Sequence, residues 1–283
     1  MYKDYYHLRD EPFNITPDPR FLFLTPQHTE ALNHLLYGIR QRKGFICLTG
    51  EVGTGKTTLC RALLGQLDAQ YRTALILNPM LTGTQLLRAT VEEFGLNPRR
   101  TDRLGYMKLL NDFLLEVNQA GGDAVLIIDE AQDMSRQALE LMRLLSNLET
   151  ASQKLLQIVL VGQPELRQTL QRPDLRQLAQ RITVRYHLQN MTAEETARYI
   201  RHRIGIAGGG EDSADVAFDR PEAPQPVRFE PDALEEIYQF SRGTPRLVNA
   251  IGDKALLAGY VHQTDTIDRE LVALAASELK ESA

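Results

Sequence analysis

The feature that most constrains this chain is a glycine-rich stretch, Gly50–Thr57, of the pattern G-x-x-x-x-G-K-T. An apolar run, Phe45–Thr49, precedes it, and a helical pattern, Lys56–Leu67, follows it. Glycines allow successive backbone N–H groups to turn inward around an anion, and the N-terminus of the following helix points at the same anion. The stretch therefore predicts a phosphate-binding loop between a buried strand and a helix.

We expect this loop to contact a nucleotide. The Lys56 ammonium would reach the β- and γ-phosphates, and the Thr57 hydroxyl would hold Mg²⁺. The residues predicted to bind the nucleotide here are Gly50, Glu51, Val52, Gly53, Thr54, Gly55, Lys56, Thr57 and Thr58. A chance match in a glycine-containing turn is the alternative, but it does not explain why a strand precedes the stretch and a helix follows it.

Short apolar runs alternate with helical patterns over roughly the first two thirds of the chain. The runs are residues 45–49, 73–77, 124–128 and 156–161, and residues 182–188 predict a fifth strand. Strands that are continuously apolar and separated by helices are typical of parallel sheets covered on both faces. The sequence therefore predicts an α/β fold, a doubly wound parallel sheet of five strands.

The pattern changes after Gln189. Helical patterns occupy residues 192–204, 231–241, 245–260 and 268–280, and a Gly-, Pro- and acid-rich segment at about 207–228 predicts a flexible loop. Residues 1–30 are rich in Pro and aromatic residues, which indicates an arm packed on a core. We therefore expect two domains: the arm with the α/β core over residues 1–189, and a small all-helical lid over residues 190–283.

Two carboxylates, Asp129 and Glu130, directly follow an apolar run. Ligands bind at the carboxyl ends of strands in such sheets. We expect Asp129 to orient Mg²⁺ through the water shell of the ion and Glu130 to act as general base on the attacking water, the alternative being an acidic helix start. Gln163 follows the next apolar run and would hold the attacking water or the γ-phosphate. Its alternative role is that of a turn residue before Pro164.

Three arginines are candidates for contact with the transferring phosphoryl group. Arg181 is the first candidate and Arg176 the second. Both precede the predicted fifth strand and would act from a neighbouring subunit. Arg246 follows Pro245 at a helix start, from which it would reach the γ-phosphate and report hydrolysis as domain motion. For each arginine the alternative is a solvated surface residue.

Composition excludes several classes of protein. The net charge of −5 argues against a generally basic nucleic-acid coat, and no apolar run approaches the 18 or more residues of a membrane span. Cys47 and Cys60 cannot build a disulfide framework, and the N-terminus has no apolar signal core, so we expect a cytoplasmic protein. The histidines show no metal-ligand spacing. Residues 129–132 resemble a helicase box, but a two-core helicase would need a second α/β domain, which the helical C-terminal part does not provide.

Together these motifs resemble those of AAA+ ATPases. The corresponding elements are Walker A at 50–57, Walker B at 129–130, sensor 1 at Gln163, the arginine finger at Arg181 and sensor 2 at 243–246. The N-terminal stretch Tyr6–Phe23 is more specific, and with Val161–Leu166 and Gly243–Asn249 it resembles the general secretion pathway protein A (ExeA-type) family. That family includes pilus-biogenesis (MSHA) ATPases and the ATPases of exosortase loci.

The resemblance implies an ATPase that uses ATP and Mg²⁺, forms a homo-oligomer, with a ring expected, and works at the bacterial inner membrane as a peripheral protein. Its partner would be an inner-membrane protein of a secretion (type II), pilus or exopolysaccharide assembly system. By the same analogy Pro12 and Phe13 line the adenine pocket, although simple packing of the arm is an equal alternative. Secretion members typically continue into a membrane span and a peptidoglycan-binding segment, whereas this chain ends at Ala283. We therefore expect a short pilus-type member or a soluble fragment.

Two other functions remain as alternatives. A DNA-transposition or DNA-loading ATPase would have a similar core and lid and would need a basic groove, for which two arginine clusters are candidates: Arg99, Arg100 and Arg103, and Arg198, Arg201 and Arg203. A solvated helix face is the commoner explanation for the second cluster. The acidic net charge disfavours this function without excluding it, so a nucleic-acid partner is not expected. A nucleotide-gated scaffold with little turnover is the other alternative.

Overall fold

A computed structural model of the chain describes residues 1–14, 18–98, 102–151, 153–210 and 226–281. It contains two compact units. The α/β unit comprises His28–Glu51 and Lys56–Leu188, and the helical unit comprises Met1–Gln27, Val52–Gly55 and Gln189–Ala283. Residues 211–225, most of the predicted flexible loop, lie outside the described part of the chain.

The core of the α/β unit is a five-stranded sheet in which every neighbouring pair is parallel. The strands are β1 (Phe45–Gly50), β2 (Tyr71–Ile76), β3 (Asp123–Ile128), β4 (Leu156–Gly162) and β5 (Ile182–Leu188), in the order β2-β3-β4-β1-β5. The predicted fold class is confirmed. Every residue of β1 and β4 is buried because helices cover both faces of the sheet, which explains their continuous apolar sequences.

This strand order determines where the motifs meet. Strands β3, β4 and β1 are consecutive neighbours in the sheet, with Ile128 paired with Leu160 and Thr49 paired with Gly162. The residues that follow these strands are the phosphate-binding loop, the Asp129–Glu130 pair and Gln163. Parallel strands present their carboxyl ends at one edge, so the sheet brings residues from three distant parts of the sequence to one place.

Helices connect the strands of the α/β unit. They are α2 (Pro26–Arg40), which starts in the helical unit, α3 (Lys56–Gln66), α4 (Gly83–Glu93), α5 (Arg103–Gln119), α6 (Arg136–Leu145), α7 (Pro164–Leu170) and α8 (Arg176–Arg181). Three of them begin at a residue whose side chain accepts a backbone N–H of the first turn: Thr82, Asp102 and Ser135. Such caps satisfy donors that have no partner inside the helix.

The helical unit is built around its own apolar core. Its helices are α1 (Tyr2–Tyr5), α9 (Ala193–Ala207), α10 (Pro231–Ser241), α11 (Pro245–Val261) and α12 (Arg269–Glu281). The sequence predicts an all-helical unit, which is wrong in one detail. Strands β6 (Arg228–Phe229) and β7 (Thr266–Ile267) form a short parallel pair. Two-residue strands leave no apolar run in the sequence, so the periodicity of the chain could not reveal them. None of the described helices has the length and apolarity of a membrane span.

The N-terminal arm belongs to the helical unit. The prediction that it forms one domain with the α/β core is wrong. Tyr6 and Phe13 are each 2% exposed within the core of the helical unit. The Tyr6 hydroxyl donates to the Thr264 carbonyl (3.0 Å), and Arg203 donates to the carbonyls of Pro12 and Asn14. The aromatic residues of the arm therefore pack against helices that follow them by about 200 residues or more.

Candidate nucleotide-binding site

The phosphate-binding loop has the backbone conformation that its glycines allow. Gly53 and Gly55 have φ angles of +81° and +95°, in the left-handed region where a β-carbon is strained. The buried Lys56 begins α3, and its ammonium donates to the carbonyls of Gly50 (2.9 Å) and Glu51 (2.8 Å). Burial lowers the pKa of Lys56, a shift that the nearby carboxylates of Glu130 and Asp129 only partly oppose. The ammonium is therefore held at the loop in a poorly solvated position.

Thr57 and Asp129 meet directly. The Thr57 hydroxyl donates to Oδ2 of Asp129 (2.6 Å), and Oδ1 of Asp129 accepts the backbone N–H of Glu130 (2.9 Å). Asp129 is 2% exposed, and none of the ion pairs in the described part of the chain involves it. A buried carboxylate without a cationic partner next to a hydroxyl is a pair of hard oxygen donors, which fits Mg²⁺.

The described residues contain no group of three or more His, Cys, Asp or Glu side chains arranged to hold a metal ion. Cys47 and Cys60 are buried free thiols, and burial raises the pKa of Cys47 to about 11. Neither cysteine has the depressed pKa of a thiolate ligand.

Glu130 is held by two amides. Its Oε2 accepts hydrogen bonds from Nε2 of Gln132 (2.8 Å) and from Nε2 of Gln163 (3.3 Å). Its backbone is left-handed, with φ 50° and ψ 37°. Gln163 is the residue before α7, and its own backbone N–H donates to Oε1 of Gln132 (2.9 Å). The predicted base and the predicted sensor residue are thus joined in one network with a third residue.

The two candidate finger arginines differ in their surroundings. Arg181, at the end of α8, donates to the side chains of Ser146 and Asn147, which follow α6. Arg176 is exposed, and its side chain has no hydrogen bond or ion pair among the described residues. Among the described residues, neither arginine bonds to the carboxylate of Asp129 or Glu130.

In the helical unit, Gly53 of the loop lies against the start of α11. A β-carbon on Gly53 would stand 2.8 Å from Cβ of Arg246 and 3.1 Å from Cγ2 of Thr244. Arg246 is the second residue of α11 and is exposed. A helix N-terminus is an unfavourable place for a cation in the absence of an anion.

Part of the chain matches a known protein family. Residues 39–170 match the family described as "AAA domain". The chain contains an AAA domain over these residues. Over 280 residues it is 44% identical to general secretion pathway protein A of Aeromonas hydrophila, an alignment that covers 99% of this chain and 48% of the relative. The chain thus spans about half the length of this homologue.

Solved structures share the AAA fold. The Aeropyrum pernix ORC2 protein, in its ADPNP–ADP complexes, superposes with a TM-score of 0.66 at 18% identity over 95% of this chain and 71% of its own. The Thermotoga maritima RuvB Holliday junction branch migration motor gives 0.55 at 21% identity over 88% and 69%. At these identities the likeness concerns the fold alone.

Pro12 and Phe13, which the resemblance places at the adenine pocket, pack inside the helical unit. The ring of Phe13 packs so closely on α11 that a β-carbon on Gly252 would lie 2.8 Å from its Cε2 and Cζ atoms. Pro12 is buried, and its carbonyl accepts from Arg203. Both residues therefore have a packing role within the helical unit.

The structure removes one of the three arginines from the candidate basic face on α9. Arg203 is 7% exposed, donates to Tyr199 Oη (2.9 Å) and lies over the ring of Phe21 at 4.9 Å. Arg198 pairs with Glu194 (2.7 Å). Arg203 is buried because its turn of α9 faces the N-terminal arm, a contact that helical spacing alone cannot show. Arg99 and Arg100 of the other cluster lie outside the described residues.

The sequence did not predict Gln132 as a residue of the candidate site. The only signal was its place in Asp129–Gln132, two residues after the predicted base. The structure shows a second feature of this contact, at Gly162. A β-carbon there would lie 2.8 Å from Oε1 and 3.2 Å from the backbone N of Gln132. The end of β4 therefore lacks a side chain where Gln132 packs against it.

Proposed function

We propose that the chain is an ATP-binding and ATP-hydrolysing AAA+ motor that assembles or regulates a bacterial secretion, pilus or exopolysaccharide envelope system. The observation that carries the ATPase part is the 2.6 Å hydrogen bond between Thr57 and Asp129. It joins the phosphate-binding loop to the acidic strand end, which is the arrangement a nucleoside triphosphate and Mg²⁺ require. The 44% identity to general secretion pathway protein A supports the envelope part.

Binding would use the loop and its lysine. The backbone of residues 50–58 would surround the phosphates, and Lys56 would exchange its two carbonyl partners for phosphate oxygens. Thr57 and Asp129 would hold Mg²⁺, since the Thr57 hydroxyl keeps lone pairs for a cation while it donates its proton to Asp129. When bound, Mg²⁺ would neutralise charge on the β- and γ-phosphates.

Hydrolysis would use Glu130 as the base. Its carboxylate would accept a proton from the attacking water as the water oxygen bonds to the γ-phosphorus and the bond to ADP breaks. Gln163, bonded to Glu130, would hold that water or the γ-phosphate. An arginine of a neighbouring subunit, Arg181 or Arg176, would stabilise the charge on the transferring group.

The helical unit would respond to the nucleotide through Arg246, which would bind the γ-phosphate and lose that contact on hydrolysis. In a ring of identical chains, the finger arginine would couple each subunit to the next. The motor would act as a peripheral protein at the inner membrane through an inner-membrane assembly protein.

The test is steady-state ATP hydrolysis by the purified chain at fixed moderate salt, with and without duplex DNA, beside Lys56→Ala as the inactive control. We expect turnover that requires Mg²⁺, is lost in Lys56→Ala and is indifferent to DNA. Strong stimulation by DNA would overturn the envelope role in favour of DNA loading or transposition. Tight ATP binding without turnover would overturn the motor in favour of a nucleotide-gated scaffold.

A further inference from the structure

Gln132 occupies a position in which its whole amide is used. Its Oε1 accepts the backbone N–H of Gln163 (2.9 Å), and its Nε2 donates to Oε2 of Glu130 (2.8 Å) and to Oδ2 of Asp133 (3.2 Å). A backbone N–H can only donate, so it fixes which end of the amide faces Gln163. The two N–H groups of Nε2 must then point toward the carboxylates.

The network leaves one oxygen of Glu130 available. Both amides bond to Oε2, and no side chain or backbone group in the described part of the chain donates to Oε1. A general base needs one carboxylate oxygen that can accept a proton from water and an orientation that keeps it in place. Amide donors on Oε2 supply the orientation without occupying Oε1.

The backbone places Gln132 where it can supply this restraint. Glu130 has a left-handed backbone, which costs a non-glycine residue roughly 1–2 kcal/mol. The turn at residues 131–133 returns the chain so that Gln132 reaches the end of β4, where Gly162 leaves room for it. The side chain of Gln132 thus connects the acidic end of β3 to the end of β4.

We propose that Gln132 is a positioning residue for ATP hydrolysis. It holds Oε2 of Glu130 so that Oε1 accepts the proton of the attacking water, and it fixes Glu130 relative to Gln163. The inference rests on the proposed ATPase function. It assigns Gln132 no contact with the nucleotide, so the loss of Gln132 lowers the rate of the chemical step and leaves ATP affinity unchanged.

The test is a double-mutant cycle between Gln132 and Glu130 in the full chain, using single-turnover hydrolysis and the binding of a fluorescent ATP analogue. We expect Gln132→Ala to slow hydrolysis roughly 10- to 100-fold, as the loss of an outer-shell partner does, with analogue affinity changed less than about twofold. In the Glu130→Gln background, Gln132→Ala should cause no further loss. An equal loss in both backgrounds, or no loss in the wild type, would overturn the proposal.

Two further variants separate positioning from folding. Gln132→Glu keeps an acceptor for the Gln163 N–H but offers no amide donor to Glu130, so it should be at least as slow as Gln132→Ala. The exposed Gln168 on α7 gives the matched control, and Gln168→Ala should hydrolyse ATP at the wild-type rate. Wild-type activity in Gln132→Glu would refute the proposal. Failure of the ATPase function itself would show differently, as absent turnover in the wild type.

Discussion

Gly53 and Arg246 approach so closely that a β-carbon on Gly53 would stand 2.8 Å from Cβ of Arg246. Gly53 also has a φ of +81°. The phosphate-binding loop therefore requires glycine at this position for two independent reasons: the conformation of its backbone and the space left by the start of α11.

Gly53→Ala should therefore weaken ATP binding by roughly tenfold or more, since a left-handed alanine costs about 1–2 kcal/mol before the clash is counted. Fluorescent ATP-analogue titration measures this loss. Gly65→Ala is the matched control, because a β-carbon at this helical residue meets nothing within 4 Å. It should bind ATP normally and stabilise the fold by about 0.5–1 kcal/mol. Equal affinity in both variants would contradict this account of the loop.

The pH dependence of ATP binding should report on Lys56. Burial lowers the pKa of Lys56, so the ammonium loses its proton at a lower pH than an ordinary lysine of pKa about 10.4. Phosphates bind the protonated form, and ATP affinity should therefore fall as pH rises through this lowered pKa. Lys56→Arg stays protonated, so its affinity should be flat over the same range. An identical fall in both proteins would rule out Lys56 as the source.

The N-terminal arm should be needed for the stability of the helical unit. Phe13→Ala removes a ring that is 2% exposed and should cost about 3–5 kcal/mol of the free energy of unfolding. Tyr37→Ala, at a residue that is 54% exposed, should cost less than about 0.5 kcal/mol. Urea unfolding followed by circular dichroism measures both. Similar midpoints for the two variants would show that the arm is not part of the core.

Mixing experiments should identify the finger arginine. Arg181→Ala should retain ATP binding and lose turnover, and mixing it with Glu130→Gln protein should restore part of the activity if the arginine acts on a neighbouring subunit. Arg176→Ala is the parallel variant, since Arg176 is exposed whereas Arg181 bonds to Asn147 (2.6 Å). Rescue of the Arg176 variant and not of the Arg181 variant would transfer the role to Arg176. Rescue of neither would contradict action between subunits.

The sheet and its motifs were predictable because their physical signals are local. Strands β1, β3 and β4 are largely apolar. Strand β5, which mixes apolar and polar residues, spans the same residues, 182–188, in the prediction and in the structure. The phosphate-binding loop needs glycines at fixed positions, which the sequence displays directly. Parallel order then brings the ends of β1, β3 and β4 together without further information.

The features that escaped prediction depend on contacts between distant residues. The composition of the arm indicates that Phe13 is buried in a core, but it does not indicate which helices form that core. The structure shows that Phe13 packs on α11. Arg203 lies on a helix face whose burial comes from Pro12 and Asn14, almost two hundred residues earlier. Gln132 acquires its role from the left-handed backbone of Glu130 and the missing side chain at Gly162, neither of which has a sequence pattern.

The most direct test of the central claim compares ATP hydrolysis and ATP binding in the wild type and in Glu130→Gln. The account predicts Mg²⁺-dependent turnover by the wild type. It also predicts a rate roughly 10²–10⁴-fold lower in the variant, the usual contribution of a general base, with ATP affinity preserved. An unchanged rate in Glu130→Gln, or a wild type that binds ATP and does not hydrolyse it, would contradict the account.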